Sequence, residues 1–168
     1  QAAIIHSVLD FHQAAGRTWS GAADAIAHHV TQQGLTVEWL LETHVHADHL
    51  SAAAHLHDRL GGTMAIGSQV TTVQSSFPET FNEGSEFPRD GSQFDRLFED
   101  GERFAIGEIP ALALHVPGHT PADAAYLIGD ALFVGDTMFM PDYGPARCDF
   151  PGGDARAMYR SIRRLLEL

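Results

Sequence analysis

The sequence has one cysteine, Cys148, so no disulfide can form within the chain. That scarcity suits a reducing compartment, and a cytoplasmic location is the expectation. No apolar run approaches the length of a membrane span, and the opening residues carry no basic segment of the signal-peptide kind. Bases are few: ten Lys and Arg stand against 22 Asp and Glu, a formal charge of −12. A field of that sign argues against nucleic acid and anionic membrane surfaces as partners. It also repels an anionic small substrate unless a metal or an arginine reverses the field locally. At 168 residues with 44% hydrophobic and 19% charged positions, the chain can bury one core, and a single domain over 1–168 is expected.

The periodicity reads as an α/β fold. Residues 3–9 are apolar and β-branched, a strand. Residues 10–19 read as a polar turn. Ser20 can cap a helix over 21–33 with Gly34 as its stop, and 36–43 reads as a mostly buried strand. Residues 50–60 suggest a helix ending at Gly61-Gly62, followed by a short strand at 64–66 and a short helix at 68–76. Residues 77–100, with Pro78, Pro88, Gly84, Gly91 and many acids, read as a long surface loop. Four strands follow at 103–106, 111–116, 124–128 and 131–134, separated by turn residues. Residues 138–153 are irregular, and Asp154 can cap a last helix over 155–168 with Met158, Ile162, Leu165 and Leu166 on one face.

Eleven histidines are present, and three crowd into Thr43-His44-Val45-His46-Ala47-Asp48-His49. In extended backbone His44 and His46 share a face, and the turn into the next helix can swing Asp48 and His49 to the same cavity. Imidazole and carboxylate together suit zinc, iron or manganese. The competing reading is a surface histidine cluster. Two later strand ends add His119, in Pro117-Gly118-His119-Thr120, and Asp136, in Gly135-Asp136-Thr137. His6 and His12 are expected to be solvated, without a metal role. His115 is expected to have a hydrogen-bonded structural role. Arg160, Arg163 and Arg164 are expected to form the solvated face of the last helix.

The series THVHADH, PGHT and GDTMF resembles the metallo-β-lactamase fold superfamily over nearly the whole chain. The flanking stretches ETHVHADHLSAAAHL, HVPGHTPADAAYLIGDALFVGDTMF and PDYGPARCDFPGGDARAMYRSI look like the branch containing persulfide dioxygenases, with glyoxalase II as its neighbour. The resemblance implies a four-layer αββα sandwich with the metal at one edge of its two sheets. It also implies two chemistries. In the dioxygenase branch one Fe(II) is held by His44, His119 and Asp136, with His46, Asp48 and His49 orienting ligands and water. In the hydrolase branch two Zn(II) ions are held, the first by His44, His46 and His119, the second by Asp48 and His49, with Asp136 bridging. The family supplies a further histidine after the helix matching 155–168 and a further strand before 3–9, so both ends read as clipped. No histidine follows His119.

The leading expectation is oxidation of glutathione persulfide by O₂ at Fe(II), giving sulfite and glutathione. Asp48 is the catalytic candidate, and Arg147 is the candidate for the substrate carboxylates because guanidinium pairs with them bidentately. The match of Arg147-Cys148-Asp149-Phe150 to the dioxygenase branch supports it, and pairing with Asp149 or Asp142 is the alternative. Tyr143 is a second substrate candidate. A zinc-dependent thioester hydrolase and a non-catalytic sensor or binding domain are the alternatives, and a homodimer is the default assembly.

Overall fold

The computed structural model describes residues 1–45, 49–81 (backbone alone over 77–81) and 86–168. Parallel strands β1 (Ala2–Ile5), β4 (Val37–Leu41), β5 (Thr63–Gly67) and β6 (Arg96–Phe98) form one sheet in the order β1-β4-β5-β6. Antiparallel strands β7 (Arg103–Ile106), β8 (Ile109–His115), β9 (Ala124–Ile128) and β10 (Ala131–Phe133) form a second, ordered β10-β9-β8-β7. The helices are α1 (Gly21–Gln32), α2 (Ala53–Leu60), α3 (Val70–Phe81) and α4 (Ala155–Leu165).

The layers follow from side-chain alternation along the strands. In β4, Leu40 packs with Ala23, Ala27 and Leu56 of α1 and α2, whereas Leu41 and Trp39 turn to the other face. There they meet Ala113, Ala124 and Tyr126 of the second sheet. The residues between those, Leu114 and Ala125, pack outward with Leu165 of α4. Helix on sheet, sheet on sheet and sheet on helix make the expected αββα sandwich.

Five local expectations need correction. The first strand ends at Ile5 rather than residue 9, because His6 takes a left-handed backbone with φ of 51°. Residues 7–9 instead bond alongside 50–52, through Leu9 N–H to Leu50 C=O (2.8 Å) and Ala52 N–H to Ser7 C=O (2.9 Å), which delays the start of α2 to Ala53. Residues 10–19 form a small hairpin of β2 (Asp10–His12) and β3 (Arg17–Trp19). That hairpin carries the Asp10 carboxylate to the start of α1, where it accepts from Ala22 N–H (2.9 Å), while Ser20 makes no capping bond and donates to Asp24 instead. Residues 77–100 are not all loop. They include the end of α3 and all of β6, whose three residues pair with Ala65, Ile66 and Gly67 and bury Phe98.

Candidate metal centre

The site collects at strand ends along one edge of the two sheets. β4 runs out at Leu41 into Glu42, Thr43 and His44, all buried. Two bonds clamp this segment to the second sheet: Ala124 N–H donates to Thr43 C=O (2.8 Å), and the buried Tyr126 hydroxyl donates to Glu42 C=O (2.8 Å). His119 follows β8 through the turn at Pro117-Gly118. That turn lies so close to α4 that a Cβ on Gly118 would sit 2.5 Å from the Cα of Met158. Asp136 follows β10 in a 3-10 turn, Gly135–Thr137, opened by Gly135 at φ of 52°.

These three segments bring His44, His119 and Asp136 together. One donor atom from each lies within 4.8 Å of the others. Asp136 Oδ2 is 3.5 Å from His119 Nε2 and 3.7 Å from His44 Nε2. Donor atoms about 2.1 Å from a shared ion lie about 3.4 Å apart in a tetrahedral set and about 3.0 Å apart in an octahedral cis pair. The observed spacing therefore fits one metal ion with little adjustment. His119 is oriented for that role, because Arg147 C=O lies 2.8 Å from its Nδ1 and so receives the Nδ1 proton, which puts the lone pair on Nε2. The two histidines are buried, while the Asp136 side chain is about one-third exposed and forms the open side of the set.

Other candidate residues fall differently. His46 and Asp48 lie outside the described residues. His49 is beside His44, with ring centroids 5.3 Å apart. Arg147 acts on this site through its backbone carbonyl, and its exposed guanidinium lies 3.4 Å from Asp149. Tyr143 is 80% exposed and lines an open apolar cleft of about 720 Å³ with Leu132, Val134, Met138, Phe139 and Met140. The segment bearing Tyr143 and Arg147 returns to the metal ligands, since Ala146 N–H donates to Asp136 C=O (3.3 Å). His115 bonds Pro121 C=O at 2.9 Å and plays the expected structural part. Arg164 is not simply solvated: it bonds both Asp100 and His115 C=O.

His6 overturns its expectation as a solvated histidine. Its Nδ1 lies 3.1 Å from Glu42 Oε2 and 3.0 Å from Thr43 Oγ1, and its ring stacks on His44 at 4.8 Å and 12°. The signal available in the sequence was positional: if the strands ending at Ile5 and Leu41 pair in parallel, His6 comes to lie beside Glu42.

Residues 15–168 match the metallo-beta-lactamase superfamily. The chain belongs to that superfamily. Among curated relatives, it is 54% identical to a probable metallo-hydrolase of Burkholderia pseudomallei, covering 100% of this chain and 60% of that protein. It is 48% identical to Glyoxylase B2 of Dictyostelium discoideum, covering 99% and 58%. It is 27% identical to the human mitochondrial persulfide dioxygenase ETHE1, covering 79% and 45%. The chain thus spans at most about three-fifths of the length of these relatives. The crystal structure of ETHE1 from Myxococcus xanthus superposes with a TM-score of 0.70 at 27% identity, over 98% of this chain and 58% of that one. As a superfamily member, the chain joins metal-dependent hydrolases and oxidases, and its clustered histidines and aspartate are in keeping with metal binding. No helix among the described residues is long and apolar enough to cross a membrane.

Proposed function

We propose that this chain is the metal-bearing part of an Fe(II) persulfide dioxygenase. The observation that carries the reading is the convergence of two imidazoles and one carboxylate, His44, His119 and Asp136, at mutual spacings suited to one ion. Such a facial set is the usual holder of non-haem Fe(II) in oxygenases and leaves further positions for two reactants. When bound there, iron supplies the activation of O₂ and a soft acceptor for sulfur. The reaction balances as glutathione persulfide plus O₂ plus water giving glutathione and sulfurous acid. The outer sulfur loses four electrons and O₂ gains them.

The chain's own residues bind and orient. Arg147 C=O fixes the tautomer of His119. Asp136 would lower the net charge at a bound ion, and its partly exposed carboxylate forms the side of the set open to substrate. The Arg147 guanidinium, exposed on the returning segment, takes a glutathione carboxylate in place of its contact with Asp149, offsetting the repulsion of a chain at −12. Tyr143 flanks the same approach from the apolar cleft. Asp48, outside the described residues, is the candidate that the family resemblance offers for orienting water and ligands.

A zinc-dependent thioester hydrolase is the second reading, favoured by the 54% and 48% identical relatives being a probable metallo-hydrolase and a glyoxylase. Metal content and oxygen uptake on the full-length protein separate the two. About one iron per chain with uptake on glutathione persulfide is the expected result, lost in Asp136→Ala. Iron-loaded protein that consumes no O₂ with that substrate, or two zinc ions with hydrolysis of a glutathione thioester, would overturn the dioxygenase reading.

A further inference from the structure

We propose a second metal position, built from His6, His44 and His49, that competes with the His44–His119–Asp136 set for the same ligand. One donor atom each from His6, His44 and His49 lies within 4.8 Å of the others. The ring centroids lie 4.8 Å apart for His6 and His44, 4.8 Å for His6 and His49 and 5.3 Å for His44 and His49; His6 and His44 are parallel to within 12°, so one of these two rings must turn for both in-plane lone pairs to meet a single ion.

His6 is held as a metal-binding histidine is held. Its Nδ1 faces the buried carboxylate of Glu42, which can only accept and so fixes the proton on Nδ1 and the lone pair on Nε2. The Ser51 hydroxyl donates to the other oxygen of that carboxylate and locks it in place. His6 also occupies a left-handed backbone conformation, uncommon for a residue other than glycine, and is kept there by its N–H bond to Leu41 C=O (2.7 Å). A residue that merely ended a strand would need neither the strain nor the buried carboxylate.

The two sets exclude one another. Thr43 Oγ1 lies 3.1 Å from Nδ1 of His44, whose proton it can accept, and 3.0 Å from Nδ1 of His6, whose one proton it shares with Glu42, so Nε2 is the ring nitrogen left with a lone pair in both. His44 Nε2 also lies 3.7 Å from Asp136 Oδ2. One lone pair serves one ion, so a metal held by the three histidines takes His44 from the other set. Three neutral imidazoles suit Cu(II), Ni(II) and Zn(II), whereas two imidazoles with a carboxylate suit Fe(II). The cluster therefore gives copper or zinc a place from which it disables the iron position without replacing the ion there. This proposal shares His44 with the functional reading and does not depend on the reaction assigned to it.

The test uses Cu(II) and the double variant His119→Ala/Asp136→Ala, which removes the other set. Equilibrium binding is followed together with the nitrogen couplings in the copper electron paramagnetic resonance spectrum. About one tightly bound Cu(II) per chain coupled to three imidazoles is expected. Adding His6→Asn, chosen because asparagine tolerates a left-handed backbone, should weaken binding by at least the roughly 10–100-fold that loss of an outer-shell partner costs. His49→Asn should do the same, which guards against a single variant that fails to fold. If the double variant binds copper no differently when His44→Ala is added, the bound copper sits on surface histidines and the proposal is wrong. It is equally wrong if His6→Asn and His49→Asn both leave the spectrum unchanged. Failure of the iron reading shows separately, as unchanged Fe(II) affinity in Asp136→Ala.

Discussion

Gly135→Ala should damage both the fold and the metal site, for reasons that can be separated. Gly135 has φ of 52°, and a Cβ there would lie 2.7 Å from Thr43 Oγ1 and 2.8 Å from Thr43 Cβ. A left-handed alanine costs about 1–2 kcal/mol, and overpacking a tight site costs about 1–3 kcal/mol. Thr43 cannot turn away from the contact, because its own Cβ is among the atoms struck and its carbonyl is tied to Ala124 N–H. The combined loss is about 2–5 kcal/mol, which for a chain of this size lowers Tm by roughly 4–20 °C. Because Thr43 Oγ1 bonds the rings of His44 and His6, Fe(II) affinity should fall roughly 10–100-fold as well. Gly34→Ala is the control: φ is 62°, yet nothing lies within 4 Å of its would-be Cβ, so it carries the backbone cost alone. Urea unfolding followed by circular dichroism, with metal titration of the folded variants, reads both quantities. If Gly135→Ala costs no more than Gly34→Ala and leaves affinity unchanged, the coupling of this glycine to Thr43 is refuted.

Further outcomes are expected. Gly118→Ala would set a methyl 2.5 Å from both Cα and Cβ of Met158, so α4 must withdraw by about 1 Å to reach ordinary contact. Loss at or above the upper end of about 1–3 kcal/mol should appear as a lower unfolding midpoint. Tyr126→Phe leaves Glu42 C=O without its buried donor and should cost about 1–3 kcal/mol in the same assay. Burial alone would raise the Asp100 carboxyl, but the His115 N–H and the Arg164 guanidinium outweigh it and hold it below the usual carboxylate range. A group depressed on folding contributes stability above its unfolded pKa and loses it as pH falls through the folded one. Asp100→Asn should therefore lower stability at neutral pH and flatten its decline on the acid side, as measured by denaturant midpoints across pH 2–7.

What the sequence made legible was whatever repeats locally. Largely apolar runs at 36–43, 111–116 and 124–128 mark buried strands, and Leu40 and Leu41 do pack into different layers. His44, His119 and Asp136 each read as following a strand, the family resemblance implies a metal at one edge of the two sheets, and the three residues do lie together. What escaped depends on distant partners. β6 is three residues long and exists because β5 offers it a free edge. The hairpin at 10–19 shows no apolar alternation and is fastened from outside by Asp10 reaching α1. His6 could be assigned only by knowing that β1 and β4 end side by side. Arg147 was read for its guanidinium, whereas its backbone carbonyl is what touches the site, and no side-chain pattern encodes that.

The bond from Tyr126 to Glu42 C=O spans 84 positions of sequence and holds the residue two before His44. The metal ligands therefore have no shared location until the two halves of the sandwich have docked, and contacts of such high sequence separation form late in folding. An ion that binds only the docked state adds RT ln(1 + [M]/Kd) to its stability, about 2.7 kcal/mol at a hundredfold excess over Kd. On the proposed function, metal supply would act on how much of this protein persists folded as well as on its activity.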